Sequence, residues 1–310
     1  MKSLFLPFLF VSIGSCFLNA QDESAVWHDT YAAGAAEAAE TGKDLLVVFT
    51  GTDWIEICEI FDREVLSQTE FIDAVTEKFA LVKLEYPENN RLPRGEATRK
   101  QFLRDAYRVR GFPTVVLTDK DGRPFGFNGY QPVTPAEYAE LTLEMEAIHK
   151  NGLQRLEEAQ SLSGVEKASA IAEGLPTLPG GLAAMFYRKE LEEMVVADPE
   201  VTLGSTANFK KMMVDLDYGI EMQRLEKDVQ WAKMIELTEA LIEDNNLEGP
   251  ALQKSLLIKS GVQQKQANTA GRIQTLLDLI KIDPKTNFAA DAQAQLDALR
   301  AEKLQQELVP

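Results

Sequence analysis

The chain has 310 residues, 45% hydrophobic and 26% charged, with a formal net charge of −17. That balance fits a packed fold rather than a disordered chain. It argues against nucleic acid or an anionic membrane as the main partner, because both are held by clustered Lys and Arg.

Residues 1–20, "MKSLFLPFLFVSIGSCFLNA", join a positive Lys2 to an apolar run that ends at Ala20, before the polar "QDES". The pattern reads as an export signal, too short for a comfortable membrane span. Cleavage after Ala20 is the first reading. The alternative is a lipoprotein signal, "SIGSC", with Cys16 carrying a lipid anchor. No later apolar run reaches the length of a span, so the mature chain is expected to lack a transmembrane helix and to work in the periplasm or outside the cell. The only cysteines are Cys16 and Cys58. Either form of processing removes Cys16 as a free thiol, which leaves Cys58 alone and excludes an internal disulfide.

Residues 29–40 are alanine-rich and helical, closed by Gly42 as a C-terminal cap. "DLLVVFT" (44–50) is a continuous apolar run of strand length, hence a central strand covered on both faces. A helix follows over 54–66, with Thr52 or Asp53 as its N-cap. A short helix over 69–79 leads into the strand "ALVKLEYP". Residues 87–95 are a polar loop and 96–108 are helical. "PTVVLTD" is a strand, "DKDG" a hairpin turn and "RPFGFNGY" the antiparallel return. An amphipathic helix over 134–149 has Pro135 at its start. This order of elements demands a mixed sheet with helices on both faces.

From residue 151 onward the strand signals stop. Apolar residues spaced three and four apart mark helices over 152–162, 165–175, 182–196, 229–243, 250–264, 269–282 and 289–308. They form either an irregular bundle or an array loosely resembling tetratricopeptide repeats, although no fixed period stands out. The domain limits expected are 1–20 for the signal, 21–149 for the α/β domain and 150–310 for an all-α domain.

Two stretches carry a resemblance: "GKDLLVVFTGTDWIEIC" (42–58) and "YRVRGFPTVVLTDKDGRPFGFNGY" (107–130). Together they resemble the thioredoxin-like superfamily, most closely its secreted bacterial branch, whose sequences read "GKxLLVVFTGSDWCxWC". The resemblance covers about residues 27–149. It implies a thioredoxin-like α/β fold and identifies Gly111-Phe112-Pro113-Thr114 with the cis-proline loop facing the active site. In that family an exposed first cysteine opens a helix and attacks, and a shielded second cysteine resolves the mixed disulfide. Here Ile55 stands at the attacking position and Cys58 at the resolving one.

Two functions stay open on these residues. In one the dithiol chemistry is lost, Cys58 packs as a small hydrophobe, and the domain binds a protein or extended peptide. Trp54, Ile55, Glu56, Ile57, Phe112 and Pro113 would then form the binding surface. In the other Cys58 acts alone, as a thiol-disulfide oxidoreductase or isomerase. No cofactor or metal is expected, since His28 and His149 lack acidic or thiol neighbours at ligand spacing. His149 is expected at a helix C-terminus, complementing its dipole.

Overall fold

A computed structural model describes residues 26–88, 92–179 and 181–308. The expected export signal, with Cys16, lies outside the described residues. The chain divides into two compact units. The first runs to Glu158 and takes in Glu173–Phe186. The second holds Ala159–Ala172 and everything from Tyr187 on. Among the described residues no helix is long and apolar enough to cross a membrane.

The first unit is built on a five-stranded sheet: β1 (Trp27–His28), β2 (Asp44–Thr50), β3 (Phe79–Glu85), β4 (Thr114–Thr118) and β5 (Pro124–Asn128). Their spatial order is β1-β3-β2-β4-β5. β1, β3 and β2 run parallel, whereas β4 is antiparallel to both β2 and β5. Every residue of β2 is buried. Successive side chains leave a strand on opposite faces, and the sheet therefore separates two cores. Leu46, Val48, Leu81 and Leu117 face Phe61, Phe71 and Tyr138. Leu45, Val47, Phe49, Val82 and Val116 face Ala38, Tyr107 and Val109.

Five helices flank this sheet: α1 (Tyr31–Thr41), α2 (Glu56–Phe61), α3 (Thr69–Val75), α4 (Arg94–Ala106) and α5 (Pro135–Ala159). Thr30 caps α1 by accepting a hydrogen bond from Ala33 N. Gly42 ends it at φ 77°, in the left-handed region that a glycine enters without Cβ conflict. Thr134 and Glu137 cap α5 reciprocally: Thr134 N donates to the Glu137 carboxylate and Glu137 N to the Thr134 hydroxyl. The helix expected to stop at residue 149 runs on to Ala159 without a break. Gly152 lies inside it and marks a close approach. A Cβ there would lie 2.6 Å from the Gly174 carbonyl oxygen.

His149 accordingly sits inside α5 rather than at its end. It is buried, and its ring stacks on Phe125 at 4.1 Å between centroids. Burial lowers its pKa from 6.5 to about 4, against the opposing pull of Asp44.

The short helices α6 (Gly164–Gly174) and α7 (Leu182–Phe186) follow. The second unit is helical: α8 (Arg188–Ala197), α9 (Gly204–Lys227), α10 (Trp231–Asp244), α11 (Gly249–Lys265), α12 (Thr269–Ile282) and α13 (Asn287–Leu308). Each of these helices packs on the next. The single helix expected over 182–196 breaks at Tyr187, whose backbone leaves the helical region at φ −122°, ψ 28°. α9 carries no signal that the sequence reading used.

Three successive turns share one geometry. Val229, Asn246 and Ala267 take φ of 56°, 47° and 55°. At each, the next residue donates its N–H back five residues: Gln230 to Leu225 O, Leu247 to Ile242 O and Asn268 to Gln263 O. These are the six-to-one bonds of a Schellman C-cap, made without glycine. Further along, the fully buried Gln253 joins three elements. Its amide nitrogen donates to Leu279 O and Asp283 O, and its oxygen accepts from the Thr286 hydroxyl, which in turn caps α13 at Ala289 N.

Candidate functional site

The loop after β2 is a tight turn. Gly51 O accepts from Trp54 N at 3.3 Å and from Ile55 N at 2.9 Å. A side chain on Gly51 would meet the Trp54 indole nitrogen at 2.5 Å, so this position excludes a Cβ. Thr52 N donates to the Glu85 carboxylate at 2.6 Å. α2 begins at Glu56 with Ile55 as N-cap, and Ile55 offers no side-chain bond. The caps expected at Thr52 or Asp53 are thus displaced, because residues 52–54 form the turn itself. After Phe61 the helix continues as a π-helical turn over Asp62–Leu66, where Asp62 pairs with Lys83.

At the start of α2, Ile55 and Ile57 are half-buried and Glu56 is exposed. Cys58 points inward, 1% exposed, as a free thiol. Nothing in this arrangement offers the sulfur to solvent.

Trp54 is 45% exposed. Its indole N–H donates to Tyr86 O at 2.8 Å, which pins the ring to the end of β3. Phe112 meets it edge-on, with centroids 6.3 Å apart. Phe112 also stacks on Tyr86 at 4.9 Å, and Tyr86 stacks on the buried Phe49 at 6.1 Å. An aromatic column thus runs from the core to the surface. The Phe112–Pro113 peptide bond is cis, and Thr114 closes its loop by donating its hydroxyl proton to Gly111 O.

The column forms one wall of a cleft of about 410 Å³. Trp54, Ile55, Tyr86 and Phe112 line it on one side, with Arg104 of α4 and Arg110 among the residues completing it. Lys100 is part of the same lining but is already engaged within the protein. Its ammonium donates to Glu85 O at 2.8 Å and pairs with Glu96 at 3.0 Å. The Tyr86 hydroxyl donates to Lys100 O, and burial raises its pKa, so it stays protonated. Arg104 donates from Nε to Val109 O at 3.2 Å and lies over the Phe112 ring at 5.3 Å.

Of the residues singled out in the sequence, the structure brings Trp54, Ile55 and Phe112 to this cleft. Glu56, Ile57, Cys58 and Pro113 do not line it. Sequence reasoning missed Tyr86, Arg104 and Arg110. Arg110 was within reach, being next to the "GFP" loop. Tyr86 stood at a strand end with no sign of its stacking partner, and Arg104 depended on which way α4 faces.

The sheet order, the cis bond and the helix after β2 define a thioredoxin-like domain, and residues 31–144 match the family model described as a thioredoxin-like domain. Among curated proteins the chain is similar to two from Chlamydia pneumoniae. One is the disulfide bond reductase DsbH, 27% identical over 110 residues, a match covering 36% of this chain and 66% of the relative. The other is the thioredoxin-related protein DsbJ, 33% identical over 107 residues, covering 34% of this chain and 30% of the relative. The chain therefore spans less than two thirds of either curated relative. A solved structure of a DsbH oxidoreductase is 26% identical, covers 38% of this chain and 82% of its own, and superposes with a TM-score of 0.37.

Proposed function

We propose that this protein is an exported binding protein whose thioredoxin-like domain has lost dithiol chemistry and recognises an extended peptide or partner protein. The observation that carries the reading is the state of residues 55–58. Ile55 stands at the N-cap of α2, where the resemblance puts the attacking thiol, and Cys58 is 1% exposed. What remains at the surface is an aromatic cleft beside a cis-proline loop. Loops of this kind present backbone groups to an extended segment, as in strand addition. Aromatic side chains anchored in a cleft are common binding hot spots. Trp54, Ile55, Glu56, Ile57, Phe112 and Pro113 make up the proposed surface.

The helical region, residues 150–310 in this reading, serves as a scaffold or second binding surface. The shared turn geometry at Val229, Asn246 and Ala267 supports stacked helix pairs. Export rests on the apolar stretch of residues 1–20, cleaved after Ala20 or lipidated at Cys16. Labelling with a fatty acid distinguishes the two.

The second reading is a thiol-disulfide oxidoreductase acting through Cys58. The likeness to a protein named a disulfide bond reductase favours it. One experiment separates them. Insulin-disulfide reduction is expected at background for the wild type and unchanged in Cys58→Ser. Alkylation of Cys58 is expected to be slow in the folded protein and fast in urea. Turnover that disappears in Cys58→Ser establishes the enzyme instead. Ile55→Cys should create an oxidisable pair with Cys58, and failure of that pair to form a disulfide removes the alignment.

A further inference from the structure

We infer that the cleft selects a peptide carrying a carboxylate next to an apolar residue, with Arg104 and Arg110 as its specificity determinants. This rests on the binding reading above and adds the chemical class of the ligand. The protein as a whole is acidic, with a net charge of −17. Yet among the described residues the lining of the cleft holds Lys100, Arg104 and Arg110 and no Asp or Glu.

The three cations are not equivalent. The Lys100 ammonium is held by Glu85 O and Glu96 and serves to fix α4. Arg104 is held only at Nε, by Val109 O, and by the face of Phe112. Its terminal nitrogens have no hydrogen bond to the described residues. Arg110 is exposed and makes neither hydrogen bond nor ion pair among them. A guanidinium clamped at Nε and stacked on a ring presents its other edge as a rigid two-pronged donor, the geometry that fits a carboxylate. Trp54 and Phe112 lie beside it and offer apolar area for the neighbouring residue.

Polarity follows as well. Asp53 and Glu56 are exposed at the start of α2. They disfavour an acidic group at that end of the cleft, while on α4 the acids Glu96 and Asp105 are engaged by Lys100 and Gln101, which leaves Arg104 to receive the carboxylate. The same chemistry can come from an Asp or Glu side chain or from a peptide's C-terminus.

Calorimetry with the full chain and blocked heptapeptides of sequence Gly-Ala-Leu-Xaa-Leu-Ala-Gly tests the inference. With Xaa as Glu, binding is expected to be about tenfold tighter than with Gln, the size of one charged hydrogen bond. Lys should bind weakest. The gap should shrink in high salt and fall to about twofold in Arg110→Gln, with the Gln peptide little affected. Arg104→Gln should act likewise, with its melting curve recorded because Arg104 also holds the loop. A Gln peptide with a free C-terminus that gains the same tenfold assigns the carboxylate to a chain end. Equal binding of the Glu, Gln and Lys peptides overturns the inference and leaves the binding groove standing. No binding by any of them overturns both.

Discussion

The two units of this chain are specified in different ways. In the first, a central strand buried over its whole length divides the interior into two cores, and the alternation of Leu46 and Val48 against Leu45, Val47 and Phe49 decides what packs where. In the second, helices are set by what happens between them. Three turns take left-handed, non-glycine residues, and one buried glutamine ties helix ends together. A sheet unit concentrates its information in strand periodicity, whereas the helical unit places much of it in caps and turns. Mutations should therefore hurt the first unit through volume and the second through hydrogen bonds.

The largest effect is expected at Phe49, fully buried and at the base of the aromatic column. Phe49→Ala should cost about 3–5 kcal/mol, as truncation of a core aromatic does. It should also loosen Tyr86 and weaken ligand binding at the cleft. A urea melt showing a loss below 1 kcal/mol would contradict the proposed division of the cores.

A pH effect comes next. The His149 pKa is lowered by burial to about 4 from 6.5, so the folded state disfavours the proton that the unfolded chain accepts. Stability is therefore fully present above about pH 6.5 and declines as pH falls toward 4. His149→Phe should flatten that decline between pH 6.5 and 5, where most carboxylates remain ionised. An identical slope in the variant, read from melts across this range, removes His149 as the cause.

Gln253→Leu tests the helical unit. It leaves Leu279 O and Asp283 O without their buried donor and should cost about 2 kcal/mol. Circular dichroism during urea unfolding measures it. An unchanged midpoint would mean that volume, not hydrogen bonding, governs this unit too.

The smallest expected effect is a gain. Val229 holds φ at 56°, where a β-branched side chain meets its own backbone. Val229→Gly removes a penalty of about 1–2 kcal/mol, while glycine's looser unfolded chain returns about 0.5–1 kcal/mol. The net should be a stabilisation of about 0–1.5 kcal/mol on those figures. A lowered midpoint would show that the Val229 side chain contributes packing that the turn alone does not explain.

The strands were legible because their patterns are local. "DLLVVFT" announces a doubly covered strand, and Gly42 announces a helix end. α9 was not legible because its apolar residues, from Phe209 to Leu225, follow no single stripe, and only Thr206 and Leu225 are buried. The helix start after β2 was misplaced by a few residues because residues 52–54 form a turn closed on Gly51 O and held by Glu85, a partner 33 residues from Thr52. At the site, Trp54 and Phe112 could be picked out from their place in two motifs. Tyr86 and Arg104 could not, since their roles arise from stacking and from the facing of α4.

Glu85 couples the two sides of the cleft. Its carboxylate holds Thr52 N in the loop before α2, and its carbonyl holds the Lys100 ammonium of α4. Tyr86, the next residue, repeats the link through Trp54 and Lys100 O. The opening is therefore braced like a jaw with a fixed gape, whose width does not depend on either loop alone. A ligand entering it finds walls already ordered, so the entropy lost on binding is mainly the ligand's own.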